Sequence, residues 1–365
     1  MSAYGRREPE NNPLDDLKKR IKDGNTNGAY LFWGAEEYTK DFYAEKLRRN
    51  AKDSPLPEFN YIVFDAETRS ASELEECVQA LPYMWECKCV EVRGLNVQKL
   101  SADEGEQYAR IVSDLPDYVT LLFLLRAEEY NGGTGAKKPE KEGAPEKRNG
   151  WKSLLSALEQ NGMVLEFQPE KGDKLAAWIA KHFSARGVKI AAGLPTMMIS
   201  YCGNDMYTLQ GEISKLCELY DGKTLTEQDV KTYCCANESY VFFDVATCMN
   251  RKDLAGARKI LSGLRLNAES VPMAMGYLAS NYQLMLLVKA GVDRGRTAAQ
   301  IANEQKLPSW KVTKAISSLH YVTTEELNAA VRMIAETDLR LKTVRANPAS
   351  ALELLICRIC AYGKQ

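Results

Sequence analysis

The chain has 365 residues, with 48 Lys and Arg against 49 Asp and Glu, and is 45% hydrophobic and 27% charged. That balance excludes a disordered chain, a collagen-like repeat and a coiled-coil rod, and the length suggests two or three domains. The longest near-continuous apolar run, residues 119–125, falls far short of the ~20 residues a membrane span needs, and residues 1–20 lack the apolar core of a secretion signal, so a soluble, cytoplasmic protein with no membrane partner is expected.

Five β-rich runs appear in the first half: Ala29–Trp33, Asn60–Phe64, Lys88–Val92, Tyr118–Leu125 and Met163–Phe167. Helical patterns lie between them. Residues 36–49 direct Tyr38, Phe42, Tyr43 and Leu47 toward one side. Residues 72–81 space Leu74, Cys77, Val78 and Leu81 at helical intervals, and Ser72 with Glu75 can form a capping box. Repeated strand and helix imply right-handed crossovers and an α/β domain with a parallel five-stranded sheet covered on both faces. The segment 131–150, rich in Gly, Pro, Lys and Glu, reads as a mobile surface loop because it has nothing to bury.

After Phe167 the strands are expected to stop. Helical patterns at 171–186, 195–202, 205–220 and 226–234 form a small helical domain, and longer helices follow from Tyr240. Thr323 and Glu326 can box the start of one of them. Asn347 followed by Pro348 caps the last. The expected domains are 1–168, 169–237 and 238–365. The charge is uneven across them, −7 over 1–237 and +6 over 238–365, which fits a protein that assembles with partners.

The chemistry expected of such a sheet is missing. A phosphate loop needs G-x-x-x-x-G-K-[ST], but the loop after the first strand reads Gly34-Ala-Glu-Glu-Tyr-Thr-Lys40, with one glycine, no Gly-Lys pair, and Glu36 and Glu37 where phosphate would sit. Gly222-Lys223-Thr224 spells the motif's end, but in a helix–turn–helix context. Glu128 and Glu129 come too late for a magnesium pair and read as a solvated turn. Only His182 and His320 exist, both in helical patterns. The one C-x-x-C, Cys357 with Cys360, lies in an apolar helix with no second ligand pair, and the ten cysteines read as reduced core thiols. No catalytic residues, no metal and no cofactor are expected.

Two stretches invite a partner. Leu81-Pro82-Tyr83-Met84-Trp85 places three large apolar side chains in a connection that should cross the surface, so it forms either a docking surface or the seal over its own sheet edge. Residues 297–319 resemble a helix-turn-helix, with Ile301, Ala302, Val312 and Ile316 inward and Trp310, Lys311 and Lys314 able to face DNA.

The series AYLFWGAEEYTKDFYAEKL, FNYIVFDAE, LPYMWECKCVEVRGLN, NGWKSLLSALEQNGMVLEF, GNDMYTLQGEISKLCELYDGKTLTEQDV and NPASALELLICRIC resembles, in order along the chain, the delta subunit of the bacterial DNA polymerase III clamp loader. The 131–150 segment is extra to that pattern, and residues 187–203 match it weakly. The resemblance implies an AAA+-like α/β domain, a small helical lid and an all-α collar joining the gamma/tau and delta prime subunits in a five-subunit ring. It implies a subunit that does not bind ATP, has no catalysis of its own, meets primer–template DNA only through the assembled complex, and binds and helps open the sliding clamp (the beta subunit). The clamp contact carries over to Tyr83 and Met84, within Leu81–Trp85. Phe or Leu is usual there, and Trp85 stands where a small polar residue is usual. The alternatives are an active AAA+ ATPase with an atypical site, and a DNA-binding regulator using residues 297–319.

Overall fold

A computed structural model describes residues 12–126, 129, 150–262, 270–307, 309–343 and 347–363. The proposed mobile loop lies outside these except for Gly150, which is buried and begins a helix. The described residues fall into two compact units, divided between Glu170 and Lys171.

The first unit is built on five parallel strands, β1 (Gly28–Trp33), β2 (Tyr61–Asp65), β3 (Lys88–Arg93), β4 (Val119–Leu124) and β5 (Gly162–Glu166), in the order β2-β3-β4-β1-β5. All lie within a residue or two of the predicted runs. Four consecutive residues of β1 are buried because helices cover both faces. Leu31, Phe64, Val90, Val92, Leu121 and Phe123 pack on one face against Leu74, Val78, Ile111 and Leu154 of α4 (Ala71–Gln79), α5 (Ala102–Ser113) and α6 (Gly150–Asn161). Tyr30, Phe32, Leu122 and Leu165 pack on the other against Leu17, Ala44 and Leu47 of α1 (Pro13–Lys22) and α2 (Glu37–Lys52). The four-residue α3 (Pro57–Asn60) leads into β2.

Two local expectations are corrected. The capping box of α4 is Ser70 with Glu73, two residues before the expected Ser72 and Glu75. That register turns Ala71, Leu74 and Val78 inward and leaves Leu81 beyond the helix, 77% exposed. In α2, Phe42 is exposed, and Lys40, Ala44, Leu47, Arg48 and Ala51 form the buried face. Arg48 turns inward because Glu91 of β3 is fully buried and ion-paired with it at 3.1 Å. Arg93 and the Tyr61 hydroxyl also bind that carboxylate, which offsets the cost of burying it.

The second unit is helical, with one isolated parallel bridge, Ile190 to Leu225, where no strand pairing was expected. Four helices come first: α7 (Asp173–Ala185), α8 (Leu194–Cys202), α9 (Met206–Glu218) and α10 (Glu227–Tyr233). They are followed by α11 (Glu238–Asn250), α12 (Leu254–Ser262), α13 (Ser270–Asp293), α14 (Ala298–Glu304), α15 (Ser309–Leu319), α16 (Thr324–Thr343) and α17 (Pro348–Ala361). The long α13 is the centre of a core in which Leu278, Tyr282 and Met285 meet Phe243, Leu327, Ile334 and Leu355. Thr323 and Glu326 box the start of α16, and Asn347 caps α17, as expected. Among the described residues no helix is long and apolar enough to cross a membrane.

Candidate functional site

Loops at the two edges of the parallel sheet differ in kind. At the carboxyl edge, where open α/β sheets bind ligands, a cavity of about 410 Å³ is lined by Glu37, Lys40, Asp65, Arg93, Arg126 and Glu129, among others. Its phosphate-loop position is filled by the chain itself. Glu36 is the N-cap of α2 and accepts from the Tyr38 N–H at 3.2 Å, while its own N–H donates to the Phe167 carbonyl. A carboxylate thus sits at the positive end of the helix. Lys40, six residues after Gly34, stands where the motif has its lysine. Its ammonium is buried and donates to the Leu125 carbonyl at 2.8 Å and to Glu37 at 2.7 Å. Gly34 has a packing reason of its own. At φ 111° it lies so close to Phe167 that a Cβ would come within 2.2 Å of the Phe167 carbonyl oxygen. From sequence Lys40 stood out only for lacking a glycine before it; its bonds to the Leu125 carbonyl and Glu37 were not anticipated.

At the amino edge, between α4 and β3, the residues Leu81, Tyr83, Met84 and Trp85 are exposed by 77%, 51%, 74% and 37%, with Pro82 half-buried. They do not seal the sheet edge. Phe59 of α3, 54% exposed, joins them, its ring 5.2 Å from that of Tyr83. Exposed side chains do not imply a loose backbone here. The buried Asn60 accepts from the Tyr83 N–H at 2.7 Å and donates to the Tyr83 carbonyl at 2.9 Å. The Trp85 indole N–H donates to the Asn50 carbonyl at 3.0 Å. Met84, between these two anchors, has φ 49°, a left-handed conformation that costs a non-glycine residue on the order of 1–3 kcal/mol and persists only where neighbours enforce it. Below the loop, the buried Lys88 ammonium donates to the Cys77 and Ala80 carbonyls at 2.6 and 3.1 Å, satisfying the end of α4. Burial pushes the pKa of Lys88 down, with the Cys77 side chain opposing in part. Phe59 and Asn60 were both missed from sequence: Phe59 was given no role, and Asn60, read as the first residue of a strand, instead ends α3 and bonds a residue 23 positions away.

The remaining candidates are dispersed. Gly222, at φ 91°, lies in the turn after α9, and Lys223 pairs with Asp221 at 2.9 Å on the surface, so no strand leads into that motif. His182 places Nδ1 2.9 Å from the Trp178 carbonyl. The ten cysteines are free, and Cys235 is exposed, unlike the core thiol expected. Among the described residues no cluster of His, Cys, Asp and Glu could hold a metal ion. In the helix-turn-helix-like stretch, Ile301, Ala302 and Val312 enter the helical core as expected. Lys314, one of the residues that could have faced DNA, lies 2.6 Å from Asp244 and 3.5 Å from the centre of the Tyr240 ring. Burial lowers its pKa, against the opposing pull of Asp244. The side chain of Trp310 is outside the described residues.

Two family models match the chain. The model described as DNA polymerase III, delta subunit, covers residues 30–135, from β1 through the exposed loop to β4 and beyond. The model described as DNA polymerase III delta subunit, C-terminal domain, covers residues 240–359. Between them they account for more than half of the chain, in the family's order.

The chain belongs to the DNA polymerase III delta-subunit family.

Among delta-family relatives, the DNA polymerase III subunit delta of Bacillus subtilis (strain 168) is 22% identical over 352 residues, covering 94% of this chain and 96% of the relative. The solved structure of the Bacillus subtilis DNA clamp loader delta protein aligns with a TM-score of 0.54 at 19% identity, over 95% of this chain and 99% of that one, so the fold is that of a clamp-loader delta protein. The first model spans both edges of the sheet: the self-filled carboxyl edge and the exposed amino-edge loop lie within one delta-family match.

Proposed function

We propose that this delta-family chain works in a clamp loader by docking the loop Leu81–Trp85 into a pocket of the sliding clamp and favouring the open form of that ring, without binding ATP itself. The observation that carries the reading is the loop: four large apolar side chains stand in solvent on a backbone that is held in place. Aromatic residues and Met desolvate well into a partner's pocket and dominate binding energies where they do so. Such binding opens a ring only to the extent that it prefers the open form.

The absence of nucleotide chemistry belongs to the same proposal. Glu36 and Lys40 supply within the chain the negative and positive groups that a phosphate and its lysine would bring together. A bound triphosphate would meet the Glu36 carboxylate at the helix terminus, which disfavours an active ATPase. The pairing of Lys314 with Asp244 likewise disfavours a regulator reading DNA through residues 297–319. The domains follow as a lid over 169–237 and a collar over 238–365. The collar would join gamma/tau and delta prime subunits in a five-subunit cytoplasmic assembly that carries the contact with primer–template DNA.

Calorimetric titration of the chain against its cognate clamp tests the proposal. Tyr83→Ala with Met84→Ala should abolish most of the affinity while circular dichroism and thermal unfolding stay as they were. Unchanged affinity would reject the assignment. Saturable ATP binding by the purified chain would move the reading to the ATPase.

A further inference from the structure

The main chain of Tyr83 is held by one buried side chain. Asn60 ends a helix of four residues and is fully buried. Its Oδ1 accepts from the Tyr83 N–H, and its Nδ2 faces the Tyr83 carbonyl at 2.9 Å, the Ser54 hydroxyl at 3.2 Å and the Leu56 carbonyl at 3.4 Å. One side-chain amide thus satisfies both main-chain groups of Tyr83, as a paired strand would. Burying an amide is costly unless its bonds are made, so its geometry is tightly determined. An apolar residue would fill the same interior volume without that requirement, but it could not hold the main chain of an exposed loop.

We infer that Asn60 is a positioning residue for partner docking: by gripping the main chain of Tyr83 it holds Tyr83 and Met84 in the pose a clamp pocket receives. The inference rests on the reading of Leu81–Trp85 as the clamp contact. Phe59, the residue before Asn60, extends the grip to the surface by setting its ring beside that of Tyr83. The Trp85–Asn50 bond pins the far side, and Met84 is left with one backbone conformation between two fixed points. Unpinned, four apolar side chains would fold down onto the chain's own surface. Pinned, they lose little freedom when a partner covers them, and a preorganised surface binds more tightly for that reason.

The test uses the full chain and its cognate clamp. Asn60→Ala should weaken binding by about tenfold, the scale on which preorganisation acts, and should speed exchange of the Tyr83 amide proton. Ser54→Ala removes a different partner of the same buried amide and spares Tyr83, so it should leave the affinity at its original value. Added to Tyr83→Ala with Met84→Ala, Asn60→Ala should cause no further loss, because its effect passes through those side chains. Wild-type affinity in Asn60→Ala, beside lost binding in the Tyr83→Ala, Met84→Ala protein, overturns the role of Asn60 and leaves the clamp reading intact. Undiminished binding by that double variant overturns both. Equal weakening by Ser54→Ala shows general loosening and also overturns it. Should Asn60→Ala fail to fold, hydrogen exchange on the unsubstituted chain decides: the Tyr83 amide should be protected and that of Met84 not, and equal rates overturn the inference.

Discussion

The two edges of the N-terminal sheet solve opposite problems with similar means. At the carboxyl edge, polar side chains turn inward to occupy a place where a ligand could sit: Glu36 fills the helix N-terminus, and Lys40 reaches the Leu125 carbonyl. At the amino edge, polar groups underneath hold apolar side chains outward: Asn60 grips Tyr83, and Lys88 closes α4. In one loop the charged groups at the phosphate-loop position find partners within the chain. In the other the main chain of Tyr83 is held while the apolar side chains around it stay exposed. A missing motif and an exposed apolar run, each weak alone, become informative as a pair in one domain.

The contrast predicts a clean separation of effects. The largest falls on binding. Tyr83→Ala with Met84→Ala should cost about 2–4 kcal/mol of clamp affinity, the range of interface hot spots, with thermal stability unchanged. Next, Lys40→Met should do the reverse. Losing the donor to the buried Leu125 carbonyl should lower unfolding free energy by about 1–3 kcal/mol, read by urea denaturation, while clamp affinity holds. A loss of affinity in Lys40→Met matching that of the loop variant would break the comparison. Smaller still, Glu36→Ala removes the cap of α2 and should cost about 1 kcal/mol, without creating ATP binding in a fluorescent-nucleotide titration.

The smallest effect concerns acid. The Ser70 N–H, helped by Arg69 and the Ser70 hydroxyl, holds the Glu73 carboxyl below its usual range. The hydroxyl and N–H of Ser101 do the same for Glu104. Both folded values are depressed, so the stability they contribute is present above the ordinary carboxylate pKa and is lost as pH falls through the folded value. Denaturation midpoints measured down the carboxylate range should therefore fall more steeply in the parent chain than in one carrying Glu73→Gln and Glu104→Gln.

Much of this was legible in the sequence. Five β-rich runs between helical patterns gave the parallel sheet, because apolar residues dominate strands covered by helices even where buried Lys88 and Glu91 interrupt β3. The exposed loop was legible because Pro82 stops α4 while the apolar residues continue. The failures have physical causes. In residues 70–75 two overlapping Ser-x-x-Glu spacings compete, and only the packing of Ala71, Leu74 and Val78 selects the first. Phe42 was expected inward on hydrophobicity alone, but it lies on the side of α2 opposite Ala44 and Ala51, and the buried face takes in Arg48 as the partner of Glu91. Asn60 gave no local signal, since its partner is 23 residues away. Lys314 looked like a groove-reading cation until Asp244 and Tyr240 were seen to enclose it.

The left-handed turn at Met84 sets stability against usefulness at a single codon. Glycine would relax that backbone at no steric cost and strip away a largely exposed apolar side chain in the same step. Selection for ruggedness alone would therefore favour glycine over the thioether at this position.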